Sequence, residues 1–171
     1  MIFLFFFCIV NYLIEGLKMT ELLVLLDKFN FRISCCESIT GGLFAQEITS
    51  IAGASKYFSG GFITYTNESK INIVKIKKTT IEKYGVISKQ CAIEMALNTQ
   101  KILKTNIAIS FTGNAGPNAL ENKPVGLVYV GIVINDNVWC EVLNISGNRN
   151  EIRSTIVAKA VVILKKILLS F

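Results

Sequence analysis

The chain has 171 residues, enough for one domain with a hydrophobic core but too few for two domains of ordinary size. Apolar residues make up 51% of the chain and charged residues 18%, which excludes an intrinsically disordered polypeptide. The formal net charge is +6. The chain has no histidine, which excludes a Ser-His-Asp triad, a Cys-His dyad and a histidine-ligated metal site.

The chain begins with an entirely apolar stretch, Met1 to Val10. A membrane-spanning helix needs about 20 apolar residues, and the stretch lacks the basic region and the small-residue cleavage site of a secretory signal. There are two alternatives for this stretch: a short membrane anchor that extends through Leu17, or translation that starts at Met19. We expect residues 1–18 to lie outside the fold without forming a stable membrane anchor, and residues 19–171 to form a single domain. The five cysteines contain no C-x-x-C motif and indicate free thiols in a reducing cytoplasm.

Hydrophobic periodicity and turn residues predict the following elements in chain order. They are a helix over 16–29, a strand over 31–36, a helix over 42–51, a strand over 58–66, a short helix capped by Asn67, a helix over 79–84, a helix over 88–105 capped by Ser88, a strand over 107–112, a hairpin of strands over 126–134 and 138–145, and a final helix from Asn148 or Asn150 to Leu169. In the helix over 88–105, the inward residues are predicted to be Ala92, Met95, Ala96 and Ile102. This order predicts a three-layer α/β/α sandwich around a mixed, mostly parallel sheet.

Polar and glycine-rich segments follow three of the predicted strands. Ser38 follows the first strand, Tyr65 to Lys70 follow the second, and Thr112 to Gly116 follow the third. Ligands of such sheets collect at the carboxyl ends of the strands. We therefore expect these three loops to meet at one edge of the sheet.

Ser38 and Lys70 are the candidate nucleophile and base. A lysine amine becomes a base when burial or a cationic neighbour lowers its pKa. Ser38 precedes a predicted helix, whose free N–H groups can stabilise an oxyanion or hold a phosphate. On position alone, the favoured interpretation of Ser38 is an N-cap serine without chemistry. Glu37 either pairs with Lys70 or interacts with the helix dipole.

The glycine-punctuated segment from Thr112 to Gly116 is compatible with a nest of N–H groups around a phosphate or ribose, and equally with a tight turn. It lacks the Lys-Ser/Thr ending of a P-loop, and no G-x-G-x-x-G fingerprint follows a strand. The acidic residues show no metal-ligand spacing. We therefore expect neither a metal nor a cofactor.

Six motifs occur in register: Glu-Ser-x-Thr-Gly-Gly from Glu37, Gly-Phe-x-Thr-Tyr-x-Asn-Glu-x-Lys from Gly61, Tyr84 to Ser88, Thr-Gly-x-Ala-Gly-Pro from Thr112, Lys-Pro-Val-Gly from Lys123, and Gly147-Asn148-Arg149. From about Met19 to the C-terminus, this pattern resembles the CinA C-terminal domain family, whose stand-alone members include nicotinamide-nucleotide amidases. The resemblance implies a nucleophile at Ser38, a lysine partner at Lys70 and an assisting Tyr65, which relays a proton or orients the lysine. It also implies a nucleotide pocket with substrate-binding residues at Thr40, Gly41, Gly42, Asn67, Thr112, Gly113, Asn114, Gly116 and Arg149, with Arg149 on the phosphate.

The chain departs from the family pattern at a few positions. Ile39 replaces a cysteine, Asn114 an apolar residue and Asn148 an aspartate, and the loop over 118–122 lacks its usual glycines. We expect the altered loop to affect the substrate affinity and the shape of that side of the pocket.

The resemblance implies a cytoplasmic amidohydrolase that converts nicotinamide mononucleotide to nicotinate mononucleotide and ammonia. The alternatives are a catalytically silent nucleotide-binding or competence-associated adaptor, and an amidase for another small carboxamide. The expected partner is a small nucleotide substrate. Nucleic acid is not expected, because arginines and aromatic residues are not interleaved, and association into a homo-oligomer stays open.

Overall fold

A computed structural model describes residues 19–171, which form one five-stranded sheet with helices on both faces. The elements are α1 (residues 19–29), β1 (Ile33–Glu37), α2 (Leu43–Thr49), a 3₁₀ turn (Ala54–Lys56), β2 (Phe58–Ile63), α3 (Asn67–Asn72), α4 (Lys78–Tyr84), α5 (Lys89–Leu103), β3 (Ile107–Gly113), β4 (Leu127–Ile134), β5 (Asn137–Asn144) and α6 (Arg149–Leu169). The predicted three-layer α/β/α sandwich is confirmed. The part of the predicted first helix before residue 19 and the expectation for residues 1–18 lie outside the described residues.

The strands are ordered β2-β1-β3-β4-β5 across the sheet. β1 pairs in parallel with β2 and with β3, whereas β4 is antiparallel to both β3 and β5. Four strands therefore run in one direction and β4 in the other. The carboxyl ends of β1, β2 and β3 lie side by side, and this arrangement brings the three polar loops together.

The two faces of the sheet are buried by different helices. On one face, α1, α2 and α6 pack against alternate residues of β1, β3 and β4 in the main apolar cluster. On the other face, a second cluster contains residues of α5 and of the segments before it: Cys36, Val74, Ile76, Val86, Ile87, Cys91 and Met95. Because strand side chains alternate between faces, the adjacent Cys35 and Cys36 belong to different clusters. Both are free thiols, and so are Cys91 and Cys140.

Three details differ from the predictions. Thr66 rather than Asn67 caps α3, because its hydroxyl accepts from the Ser69 N–H while the Ser69 hydroxyl accepts from the Thr66 N–H. Ile102 is 44% exposed, because it lies on the outer side of the last turn of α5. Asn148, the first of the two predicted alternatives, caps α6 by accepting from the N–H groups of Asn150 and Glu151. Among the described residues, no helix combines the length and apolarity needed to cross a bilayer.

Candidate active site

Ser38 and Lys70 are in direct contact at the carboxyl edge of the sheet. Lys70 Nζ lies 2.9 Å from Ser38 Oγ and 2.7 Å from the carbonyl oxygen of Thr64, to which it donates. The lysine side chain is 1% exposed. Ser38 immediately follows β1, and Lys70 lies in α3, which follows β2. The two groups thus lie in the segments that follow two neighbouring strands of the sheet, as the topology predicted.

The short helix α3 directs Lys70 back toward the sheet. The reciprocal hydrogen bonds of Thr66 and Ser69 begin this helix directly after the loop that follows β2. Lys70 then donates its backbone N–H to the Thr66 carbonyl and accepts at its own carbonyl from Ile76. Its backbone is therefore anchored on both sides, and the side chain passes into the protein. Burial leaves this long side chain little rotamer freedom, which is an entropic cost of holding the lysine amine in one place.

Burial lowers the pKa of Lys70 from its ordinary value of 10.5. The nearby Cys91, Cys36 and Glu121 oppose this shift, since negative charge on them favours the ammonium form. Desolvation is the larger effect and penalises the charged form. Lys70 therefore has a larger neutral fraction near neutral pH than an exposed lysine, and a neutral amine can accept the proton of Ser38.

Ser38 and Lys70 line a cavity of about 310 Å³. Its remaining lining comes from the turn after β1, the segment after β2, the end of β3 with the loop that follows it, Val86 and the start of α6. These residues are Ile39, Tyr65, Asn67, Val86, Thr112 to Leu120, and Arg149. The three loops predicted to converge therefore do so. Nine of the twelve sequence-predicted site residues line this cavity, and Thr40, Gly41 and Gly42 do not.

Tyr65 contacts Arg149 rather than Lys70. Arg149 donates from Nη2 to the Tyr65 hydroxyl at 2.6 Å and from Nη1 to the Gly116 carbonyl at 2.8 Å. Within residues 19–171, Tyr65 makes no hydrogen bond to Lys70, so the Thr64 carbonyl and not Tyr65 orients the lysine amine here. Arg149 joins two loops that border the cavity.

Several polar groups at the end of β3 and in the loop that follows it stabilise the conformation of this loop. Thr112 donates from its hydroxyl to the Val86 carbonyl at 2.6 Å. The Asn114 amide accepts from the Gly116 N–H and donates to the Asn118 carbonyl. A Cβ at Gly113 would lie 2.6 Å from the Leu127 carbonyl oxygen, so only glycine fits the approach of β3 to β4. Asn67, by contrast, lines the cavity with an exposed side chain.

Glu37 has a structural role that the sequence analysis left open. Its carboxylate is fully buried and accepts from the N–H groups of Gly42, Phe44 and Ala45 at 2.9, 3.2 and 2.9 Å. It interacts with the start of α2 and makes no ion pair with Lys70 among the described residues. Because these N–H groups already donate to Glu37, they are not the free helix-terminal donors that were expected for a substrate anion. The sequence signal for this role was the position of a carboxylate directly before a predicted helix, where the helix dipole favours a negative charge.

The altered loop over 118–122 is fastened by Glu121. Its carboxylate accepts from the N–H groups of Val86 and Ile87 at 2.9 and 3.1 Å, and Lys123 lies 3.3 Å from it. Burial alone would raise the pKa of Glu121, but these three donors outweigh it and hold the pKa below its ordinary value of 4.5. The composition of the loop gives no sign of this anchor, which fixes the side of the cavity formed by residues 117–120.

In the described part of the chain, no group of three or more acidic, cysteine or histidine side chains is placed to bind a metal ion.

The chain is similar over most of its length to known proteins. Residues 18–168 match the family described as CinA C-terminal domain. A competence-damage inducible protein from Thermoanaerobacter sp. (strain X514) is 42% identical over 160 residues, covering 92% of this chain and 39% of that protein. One from Clostridium botulinum (strain 657) is 47% identical over 143 residues, covering 83% and 35%. This chain thus spans less than half the length of these curated relatives.

Solved structures give the same result for the fold. The competence/damage inducible protein CihA from Agrobacterium tumefaciens is 32% identical with a TM-score of 0.85, covering 89% of this chain and 94% of that one. A CinA superfamily protein from Klebsiella pneumoniae 700603 has a TM-score of 0.90 at 23% identity, covering 92% and 99%, and so shares the fold. With the family match spanning nearly all described residues, the chain belongs to the CinA C-terminal domain family.

Proposed function

We propose that the chain is an amidohydrolase that converts nicotinamide mononucleotide to nicotinate mononucleotide and ammonia. The observation that carries this proposal is the 2.9 Å contact between Lys70 Nζ and Ser38 Oγ at the edge of a cavity. A buried lysine with a lowered pKa beside a serine hydroxyl is the base and nucleophile pair that amide hydrolysis needs when histidine is absent.

In the first half of the reaction, Ser38 Oγ attacks the carboxamide carbon and its proton passes to Lys70 Nζ. The carbonyl oxygen becomes an oxyanion, for which backbone N–H groups of the turn after Ser38 are the candidate donors. The C–N bond then breaks, Lys70 returns the proton to the leaving nitrogen, and ammonia departs. The product at this stage is an ester of Ser38.

In the second half, water attacks this ester and gives a proton to Lys70. The bond between the acyl carbon and Ser38 Oγ breaks, and the proton returns to Ser38. The net reaction is amide plus water giving acid plus ammonia. Arg149 is the candidate phosphate ligand, because its exposed guanidinium lies at the cavity and carries donors beyond the two that bind Tyr65 and Gly116.

The test is ammonia release from a panel of carboxamides that includes nicotinamide mononucleotide. Ser38→Ala and Lys70→Ala should each abolish most activity, and the double variant should be little worse, because both groups serve the same steps. Lys75→Ala is the matched control, since the exposed Lys75 amine donates to the Asn72 carbonyl at the surface and does not line the cavity formed by the described residues. Full activity in Ser38→Ala would contradict the acyl-enzyme route.

The same panel separates the alternatives. Release of ammonia from a different carboxamide alone would keep the chemistry and change the substrate. Nucleotide binding without ammonia release from any member would favour a silent adaptor. Activities of the longer relatives that depend on their other parts are outside this proposal, since this chain spans 39% and 35% of two of them.

A further inference from the structure

The turn after Ser38 is held by an arginine from the far end of the chain. Arg153, in α6, donates from Nη2 to the carbonyl oxygen of Thr40 at 2.6 Å. Its side chain is half-buried, and Thr40 is fully buried. The Thr40 carbonyl also accepts from the Leu43 N–H at 3.3 Å. Two donors therefore fix the orientation of the peptide group that joins Thr40 to Gly41.

That peptide carries a free donor on its other side. Because a trans peptide is planar, the Gly41 N–H points opposite to the Thr40 carbonyl and thus away from Arg153. Within the described residues, the N–H groups of Thr40 and Gly41 donate to no protein acceptor. Among the neighbouring N–H groups, Ser38 donates to Phe111, Leu43 to Thr40, and Gly42, Phe44 and Ala45 to Glu37. In the described part of the chain this leaves the Ile39 N–H, like those of Thr40 and Gly41, without a protein acceptor.

The backbone of this turn requires such fixing. Gly41 and Gly42 have φ angles of +58° and +98°, and glycine has many alternative conformations of similar energy. A Cβ at Gly41 would lie 3.3 Å from Arg153 Nη2, so the arginine packs directly over the glycine. Rotation of the Thr40–Gly41 peptide would break both hydrogen bonds to the Thr40 carbonyl and turn the free N–H away.

We propose that Arg153 is a positioning residue that locks the Thr40–Gly41 peptide, so that the Gly41 N–H is held ready for the oxyanion formed at Ser38. The proposal rests on the amidase function above. Gly41 is exposed and lies three residues after Ser38, in the same turn as Ile39, which lines the cavity. A donor used only in the transition state affects kcat and leaves substrate binding unchanged.

The test compares Arg153→Met, Arg153→Lys and the control Arg32→Met. Arg32 is an exposed arginine that binds Ser59, so it controls for loss of a guanidinium elsewhere. Arg153→Met should lower kcat for ammonia release by about 10²-fold, the usual effect of an impaired oxyanion donor, with KM nearly unchanged. The kcat of Arg153→Lys should lie between that of Arg153→Met and that of the unsubstituted protein, because lysine keeps the charge but not the planar geometry of arginine.

A second readout is independent of the carboxamide. A fluorophosphonate phosphonylates a nucleophilic serine, forming the Oγ–P bond and releasing fluoride, and its transition state also places charge on an oxygen. The labelling rate of Ser38 should fall in Arg153→Met in parallel with kcat, with Ser38→Ala as the blank. Thermal unfolding of each variant shows whether it is folded at the assay temperature, and Arg153→Lys carries the comparison if Arg153→Met does not fold.

The outcomes are distinct. Wild-type kcat and labelling rate in a folded Arg153 variant would overturn the positioning role while leaving the amidase proposal standing. A rise in KM at constant kcat would also overturn it and assign Arg153 to substrate binding. An unsubstituted protein that neither releases ammonia nor reacts with the fluorophosphonate would remove the amidase function and this inference together.

Discussion

Arg149 donates to the hydroxyl of Tyr65 across 84 positions of sequence, at a distance of 2.6 Å. With its second bond, to Gly116, it connects the start of α6 to the loops after β2 and β3. The residue is exposed, so the contact is open to an incoming ligand. This raises the question of whether Arg149 binds substrate or only ties two loops together.

Arg149→Ala should raise KM for nicotinamide mononucleotide by about 10- to 100-fold, the value of a charge-assisted hydrogen bond, with a smaller effect on kcat. On the riboside, which has no phosphate, the variant should behave nearly as the unsubstituted protein does. Steady-state kinetics on both substrates measure the difference. Arg32→Ala is the matched control, because Arg32 is an exposed arginine that binds Ser59 and does not line the cavity. Equal penalties on both substrates would assign Arg149 to loop structure, and the same pattern in Arg32→Ala would assign the effect to the loss of a positive charge rather than to a phosphate contact.

The pH dependence should report the Lys70 amine. The base must be neutral, so kcat/KM should rise with pH and level off once Lys70 is deprotonated. Because burial lowers the pKa of Lys70, the plateau should begin below the ordinary lysine value of 10.5. Lys70→Arg should be inactive across the range from about pH 6 to about pH 10, since arginine stays protonated there. A rise that continues through the ordinary lysine pKa would mean that Lys70 is not the base.

Glu121→Gln should weaken the side of the cavity formed by residues 117–120. We expect KM to rise with kcat nearly unchanged, and the free energy of unfolding at neutral pH to fall by about 1 kcal/mol, since a charge-assisted acceptor for two N–H groups is lost. The folded pKa of Glu121 is depressed, so its stabilisation is complete above the ordinary value of 4.5 and is lost as pH falls through the folded pKa. The difference in urea unfolding between the two proteins should therefore shrink at acid pH. Glu82→Gln, on the exposed side of α4, is the control, and an equal effect there would contradict a specific role for Glu121.

Glu37→Gln should destabilise the protein and disturb the nucleophile together. The glutamine amide keeps one acceptor oxygen where the carboxylate used both oxygens for three N–H groups. A cost of about 1–3 kcal/mol is expected from the donors left unpaired in a buried site. Urea unfolding gives the stability, and ammonia release at a temperature where the variant is folded gives the effect on Ser38. Unchanged stability would show that the start of α2 does not depend on this carboxylate.

The elements could be predicted because they depend on local pattern. Ser88 was predicted as a cap, and Asn148 as one of two alternatives with Asn150, from their positions before periodic segments; Ser88 and Asn148 cap their helices. Thr66 and Asn67 are both good capping residues and adjacent, so the sequence could not decide which one leaves the strand conformation. The convergence of Ser38 with Lys70 followed from topology, since both loops leave the carboxyl ends of neighbouring parallel strands.

Contacts between segments that are distant in sequence could not be predicted from local patterns. Arg153 and Thr40 are 113 positions apart, and nothing in either segment indicates the other. The bonds of Glu121 to Val86 and Ile87 depend on how a loop of unusual composition folds back, which no periodicity describes. The sequence therefore indicated nine residues that line the cavity, whereas their partners depend on the packing of α6 and of the loop after β3.

The position of β1 in the sheet has a further consequence. β1 lies between two parallel neighbours and is buried at every residue, so Ser38 follows a strand that opens only when most of the fold opens. The opposite side of the cavity belongs to a surface loop held mainly by the side chains of Asn114, Glu121 and Lys123. Substitutions there can reshape the cavity at little cost to the strand that bears the serine. Over evolutionary time, a chain built in this way can change which molecule it accepts far more readily than it can change the reaction it performs.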